Sequence, residues 1–305
     1  LKNYDNVDLT GWGEPLLHKG LFEMIDISHE QGCTAGFISN GTLLDDRRGR
    51  KLLEHKVNWM FISIDGADPG TFSGIRVGGD LGKVINNCRN FVKLRDEYRT
   101  PEYNGPFLST TFTMNRANMP EVPDFVELAS DVGFDQIHVK NQDVVSKPDD
   151  VQQILFPFSD DQPEIPYDVL ESKFAQARLI AQERGTTLLL PTFEYGFTKT
   201  CNPMQQGGVY VAATGEVSPC VNLGHPTPRM MQDGSYIENS GLVFGNIHEQ
   251  SFDEIWKTSK WTKFREAFDQ GVVPEACEGC QLLRKSEFHI TEPESKTADL
   301  RDVTV

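Results

Sequence analysis

Four of the six cysteines are Cys201, Cys220, Cys277 and Cys280, and the last two enclose only Glu278 and Gly279. Thiolates are soft ligands, and a pair separated by two residues reaches one centre from a tight turn. The set can therefore hold a zinc ion or an iron-sulfur cluster, and the spacing alone leaves both open, with buried unliganded thiols as a third reading. Near the start of the chain, the apolar run at residues 7–9 breaks into Thr10, Gly11, Trp12, Gly13, Glu14 and Pro15. This is the pattern of a buried strand whose C-terminal end offers bare backbone to a ligand. Glycine permits close approach to the peptide groups, and the Glu14 carboxylate can accept from an ammonium group. A plain turn produces the same Gly-x-Gly spacing.

Other reactive residue types read as structure. Cys33 opens a strand after Gly32, and Cys88 shares a helical face with Val84, Ile85 and Phe91, so both are expected to be small buried hydrophobes. The histidines at 18, 29, 55, 138, 225, 248 and 289 show no metal-ligand spacing. His138 and Lys140 lie near a strand end and could face a substrate. The sequence identifies no catalytic residue.

Taken in order, several segments resemble the radical S-adenosylmethionine enzymes that carry a C-terminal SPASM or twitch extension. They are the Gly11 to Pro15 segment, the run Ile38, Ser39, Asn40, Gly41, Thr42, the run Ile62, Ser63, Ile64, Asp65, Gly66, and the late cysteines. The C-terminal block is the most specific part. There Gly215, Glu216, Val217, Ser218, Pro219 and Cys220 are followed by Phe244, Gly245, Asn246, Ile247 and by Glu254, Ile255, Trp256. The form with Trp12 also resembles a subgroup linked with tungsten-cofactor oxidoreductases.

The resemblance implies that Gly11, Gly13, Glu14 and Pro15 hold the methionine amino group of S-adenosylmethionine. Ser63 and Arg76 would hold its carboxylate and ribose, a role that suits the fork-shaped guanidinium. Asn40 and Asp65 are further candidates, with turn chemistry beside Gly41 and Gly66 as the alternative. Cys201, Cys220, Cys277 and Cys280 would ligate one auxiliary [4Fe-4S] cluster with no iron left open, giving it an electron-transfer or structural role. The implied reaction is reductive cleavage of S-adenosylmethionine at a catalytic [4Fe-4S] cluster. The resulting 5′-deoxyadenosyl radical abstracts hydrogen from a substrate, often a peptide or protein, and a flavodoxin or ferredoxin is the implied electron donor. The family's C-x-x-x-C-x-x-C motif belongs upstream of Gly11, where only ten residues stand and none is cysteine. The expectation is thus an N-terminally truncated barrel, inactive as it stands, whose catalytic cluster requires the missing segment. Two other readings stay open: a zinc-stabilised, non-catalytic binding module, and an iron-sulfur electron-transfer protein.

These residues need a frame. Strand signals near residues 7–9, 34–38, 59–64, 107–114 and 136–139 alternate with helical patterns, which predicts a parallel α/β sheet. The resemblance selects a partial, TIM-like (β/α) barrel with a cysteine-rich C-terminal extension. Asn118 is expected to cap a helix that carries Val122, Phe125, Val126 and Ala129 and stops at Gly133. A second helix is expected from about Asp168 to Arg184. Residues 208–213 and 216–219 predict a hairpin around Thr214 and Gly215. Ser251 and Glu254 predict a capping box on a helix bearing Phe252, Ile255, Trp256, Phe264 and Phe268, ending at Gly271. The expected organisation is a barrel at 1–145, a connecting loop and helix at 146–190, the auxiliary cluster region at 191–285, and a polar tail at 286–305.

Composition narrows the partners. The 305 residues carry 45 acidic and 29 basic side chains, a net charge of −16, which argues against a nucleic acid. No apolar stretch is long enough to span a bilayer, so no membrane is expected. Cysteines clustered toward one end suggest a reduced, cytoplasmic setting rather than a secreted disulfide framework.

Overall fold

Parallel strands cannot be joined by tight turns, so each must be followed by a crossover, usually a helix packed on the sheet. The computed structural model describes residues 4–142, 145, 147, 153–155, 165–192, 198–205, 207–225, 228–231, 235–238, 241–280, 283 and 288–292. Its first compact unit comprises Leu1–Asn141, Ile165–Pro191 and Phe288–Val305. The chain runs β1 (Asn6–Asp8), α1 (Leu21–Glu30), β2 (Thr34–Ser39), α2 (Asp46–Glu54), β3 (Trp59–Ser63), α3 (Pro69–Ile75), α4 (Leu81–Glu97) and β4 (Phe107–Met114). It continues through α5 (Val122–Val132), β5 (Gln136–Asn141), α6 (Tyr167–Arg184) and β6 (Thr187–Pro191). The six strands pair in sequence order, all parallel, and the strand Phe288–Thr291 adds antiparallel to β6. The result is an α/β unit with an open, partial-barrel sheet.

The two faces of this sheet differ. Met60, Ile62, Leu108, Phe112, Ile137, Val139, Leu188 and Leu190 are fully buried on the outer face, where Phe112 packs on Phe125 of α5 with ring centroids 4.6 Å apart. Each such side chain stabilises the fold by roughly 1.5–3 kcal/mol. The inner face starts with Trp59, Phe61 and Phe107 in edge contact at the N-terminal end. Toward the C-terminal end it turns polar, with Ser63, Thr111, Thr113, His138 and Lys140. Aromatic side chains thus fill one end of the inner face and leave hydrogen-bonding groups at the other, where ligands bind in barrels of this kind.

Gly133 ends α5 at φ +94°, as its position predicts. Asn118 has a different role from the expected cap. A short 3-10 turn, Met119–Glu121, precedes α5, and the buried Asn118 amide donates to the carbonyls of Asp65 at 3.0 Å and Thr113 at 2.9 Å. Buried carbonyls need donors, and this demand overrides the local capping preference. Residues 167–184 and 187–190, assigned to a connecting segment by sequence, belong to the sheet unit, as does Pro191, assigned to the auxiliary cluster region. Phe288–Thr291, assigned to the tail, is its edge strand. The connecting loop expected from residue 146 onward lies mostly outside the described residues.

The second unit comprises Gln142–Glu164 and Thr192–Glu287. It contains α7 (Asn202–Gln205), β7 (Tyr210–Val211), β8 (Glu216–Ser218), α8 (Val221–Gly224), β9 (Arg229–Met230), β10 (Tyr236–Ile237), β11 (Gly245–Asn246), α9 (Phe252–Trp256) and α10 (Ser259–Asp269). The hairpin β7–β8 turns at Gly215, with φ +82°, where any Cβ would strike His248 and Asn246. The Ser251–Glu254 capping box is present. The single helix expected after it is instead two, because Thr258 caps a new start, its hydroxyl accepting from Trp261 N at 3.3 Å. Val217, Leu223, Phe244, Ile255, Trp261, Phe264 and Cys277 form the core of this unit.

Candidate functional site

Glu14 follows β1 and caps the 3-10 turn Pro15–Leu17. Its Oε1 accepts from Ser39 Oγ at 2.8 Å and Leu16 N at 3.1 Å, and its Oε2 accepts from Asn40 N at 2.8 Å. A carboxylate offers about four acceptor positions, so three donors fix Glu14 and leave capacity for another. Packing does not explain the glycines beside it. A Cβ on Gly13 would meet nothing, and one on Gly11 would meet only Gly13 N at 4.0 Å. Room of this kind suits a ligand on the backbone. The Asn40 side chain is used locally, its Oδ1 accepting from Thr42 N at 2.9 Å and Thr42 Oγ1 at 2.6 Å.

At the end of β3 the geometry links the predicted residues in pairs. Asp65 is buried, and its Oδ2 accepts from Arg76 Nε at 2.8 Å and Nη2 at 2.6 Å. Its Oδ1 accepts from Thr113 N at 2.7 Å. Asp65 therefore positions Arg76, whose side chain remains partly exposed. Ser63 closes β3 on the inner face. The structure brings Glu14 to the Ser39–Asn40 corner and Arg76 to Asp65, at the C-terminal ends of neighbouring strands.

Sequence reasoning missed Ser39, Thr113, Asn118 and Glu121, the last accepting from Ala67 N at 2.8 Å and Asp68 N at 3.1 Å. Ser39 bonds to the Glu14 side chain and the others join side chains to backbone across elements, and no spacing announces them.

In the second unit, Cys201 is buried and its thiol is pushed up to about 11, first by burial and then by the neighbouring Cys220 and Cys280. Cys220 stands at the N-cap of α8. Cys277 closes the 3-10 turn Glu275–Cys277, and Cys280 N donates to Cys277 O at 3.1 Å. Cys201, Cys280 and Leu283 share one apolar cluster, and Cys220 packs on the core that includes Cys277. Among the described residues, no three His, Cys, Asp or Glu side chains stand close enough to hold one metal ion. The thiols are soft donors, and Cys220 and Cys280 lie near enough to Cys201 for their charges to act on it, which fits a thiolate-ligated group. Cys33 and Cys88 are core residues: the Cys33 thiol donates to Tyr4 O at 3.0 Å, and burial raises Cys88 to about 12.

Residues 201–281 match the iron-sulfur cluster-binding domain family SPASM. The chain is 25% identical over 279 residues to the tungsten-containing aldehyde ferredoxin oxidoreductase cofactor-modifying protein of Pyrococcus furiosus, covering 91% of this chain and 74% of that one. It is 28% identical over 286 residues to the AdoMet-dependent heme synthase of Methanosarcina barkeri, covering 89% and 73%. It is 22% identical over 275 residues to the PqqA peptide cyclase of Gluconobacter oxydans, covering 88% and 67%. In fold it is similar to Streptococcus suis SuiB bound to S-adenosylmethionine, with a TM-score of 0.55, 13% identity, and coverage of 85% of this chain and 56% of that one. The chain therefore belongs to the radical S-adenosylmethionine enzymes, whose cofactors are S-adenosylmethionine and [4Fe-4S] clusters, and it carries an iron-sulfur cluster-binding SPASM domain.

Proposed function

We propose that S-adenosylmethionine binds at the C-terminal ends of β1, β2 and β3. Gly11, Gly13, Glu14 and Pro15 receive its amino group, and Ser63 and Arg76 its carboxylate and ribose. Asp65 holds Arg76 in place, and Asn40 holds Glu14 through its backbone N–H. The observation that carries this reading is the Glu14 carboxylate, fixed by three donors with acceptor capacity to spare. Cys201, Cys220, Cys277 and Cys280 are the proposed ligands of one auxiliary [4Fe-4S] cluster. When bound, the cofactors supply reductive cleavage of S-adenosylmethionine and a 5′-deoxyadenosyl radical for hydrogen abstraction. The sheet's contribution is to bind and orient the reactants and to exclude water.

The proposed substrate is a peptide or protein, a reading supported by the similarity to a peptide cyclase. A flavodoxin or ferredoxin is the proposed electron donor. A second reading, a substrate within a tungsten-cofactor oxidoreductase system, is favoured by the Trp12 form of the glycine segment and by the Pyrococcus furiosus relative. Among the described residues, no helix is long and apolar enough to cross a membrane.

Calorimetric titration with S-adenosylmethionine tests the site. Saturable binding that Glu14→Ala and Arg76→Ala each weaken is the expected result. Equal affinity in parent and variants removes these residues from the site.

A further inference from the structure

The inner face of the sheet presents hydrogen-bonding groups that the protein itself leaves without partners. In register, Ser63 of β3 lies beside Thr111 of β4, and Thr111 beside His138 of β5. Paired residues of neighbouring strands project from the same face, so the three side chains form a row across strands about 4.8 Å apart. Phe112, the next residue along β4, packs outward on α5, so the row faces inward. Among the described residues the Ser63 and Thr111 hydroxyls and both His138 ring nitrogens have no hydrogen-bond partner, and His138 Nε2 is buried outright. Phe288 meets the imidazole edge-on, with centroids 4.6 Å apart, which fixes the ring plane.

The surroundings keep the row uncharged. Leu189 of β6 and Ile290 of the edge strand continue it as apolar neighbours. Lys140 lies two residues further along β5, paired with Thr113, and Asp65 is committed to Arg76 and Thr113 N. Burial and then the Lys140 charge push His138 down to about 4, so its ring is neutral at physiological pH. Two hydroxyls and a neutral imidazole can both donate and accept, which matches a group that does the same.

We propose that Thr111 and His138 form a substrate subsite beside Ser63 that takes an uncharged amide, such as the peptide group of a substrate. This rests on the reading that Ser63 belongs to the S-adenosylmethionine site. Buried polar atoms without partners carry a desolvation cost, and the ligand's amide removes it on binding.

The test uses the full chain labelled with ¹⁵N-histidine, with His138 assigned through its loss in His138→Gln. N-acetylglycylglycinamide serves as the neutral amide probe and acetate as the carboxylate probe, each with and without S-adenosylmethionine. The expected result is a saturable shift of the His138 ring nitrogens with the amide. Thr111→Val, a conservative change, should weaken the probe by about fivefold or more while affinity for S-adenosylmethionine is unchanged. A response to acetate alone, no response to the amide, or an unaltered response in Thr111→Val overturns the proposal. An equal loss of S-adenosylmethionine affinity in Thr111→Val overturns it too, by assigning the row to the cofactor. Failure of S-adenosylmethionine to bind the parent chain is a separate result that removes the cofactor reading itself.

Discussion

Arg76 leans on Asp65, with Nε and Nη2 both donating to Oδ2 at 2.8 and 2.6 Å, while the other carboxylate oxygen takes the Thr113 N–H at 2.7 Å. One buried carboxylate thereby ties the end of α3 to the end of β4. The division of labour follows exposure, since the Asp65 side chain is 7% exposed and that of Arg76 is 30%. The buried partner anchors, and the exposed one reaches outward.

Arg76→Ala should weaken S-adenosylmethionine binding by roughly 1.5–3 kcal/mol, the usual worth of a hydrogen bond to a charged group. Arg76→Lys should recover only part of this, because an ammonium cannot reproduce the planar fork. Calorimetry on the three proteins at low salt is the check. Full affinity in Arg76→Lys would show that charge alone, and not the Asp65-held geometry, matters.

For the cysteines, Cys220→Ala should strongly reduce iron and sulfide after anaerobic reconstitution, whereas Cys33→Ala and Cys88→Ala should retain them. A lost ligand removes binding energy and loosens the second unit, because metal binding and folding are coupled. The raised thiol of Cys201 sets the direction with pH: cluster assembly must displace its proton, so incorporation should fall as pH is lowered from mildly alkaline to acidic values. Iron and sulfide assays over a pH series measure both effects. Unchanged content in Cys220→Ala excludes it as a ligand.

Much of this arrangement is legible from residue order. β4 at Phe107–Met114 and the end of α5 at Gly133 follow from β-branched runs and a glycine that alone adopts φ +94° easily. Glu14 is legible because it sits beside two glycines at a strand end. The Asp65–Arg76 pairing is not, since eleven residues separate the partners and only the fold of α3 closes that distance. Asn118 misleads for a physical reason: its local sequence favours a cap, but two buried carbonyls compete for its amide. Phe288–Thr291 escapes because an edge strand of four residues beside polar tail sequence has little periodicity to show.

His138 should give the protein an acid-sensitive stability. Its imidazole titrates near 6.5 when unfolded and at about 4 when folded, so between these values the unfolded chain binds more protons. Stability is therefore complete above the upper value and falls as pH drops through the window, by on the order of 3 kcal/mol at most. Thermal midpoints of the parent and His138→Gln, measured from neutral pH to pH 4, are the comparison. The variant should show a shallower decline across that range, and parallel curves would mean that other groups control the acid limb.

Gly36 of β2 offers a test of how tightly the aromatic end of the inner face is packed. It pairs in register with Trp59, and a Cβ placed on it would overlap both the Trp59 indole and the Trp59 carbonyl oxygen. The indole has nowhere to retreat. Its Nε1 donates to Asn6 Oδ1 at 2.8 Å, and its ring meets Phe61 edge-on at 5.5 Å between centroids. Gly36→Ala should therefore destabilise the protein by about 1–3 kcal/mol, the range for overpacking a dense core. Trp59→Ala should relieve only part of that cost in the double variant, because the carbonyl contact is with backbone and survives removal of the ring. Denaturant unfolding of the two single variants and the double variant measures the coupling. Parent-like stability in Gly36→Ala would mean that β2 and β3 can slide apart, and that Asn40 at the far end of β2 is a less rigid support for Glu14 than its 2.8 Å hydrogen bond implies.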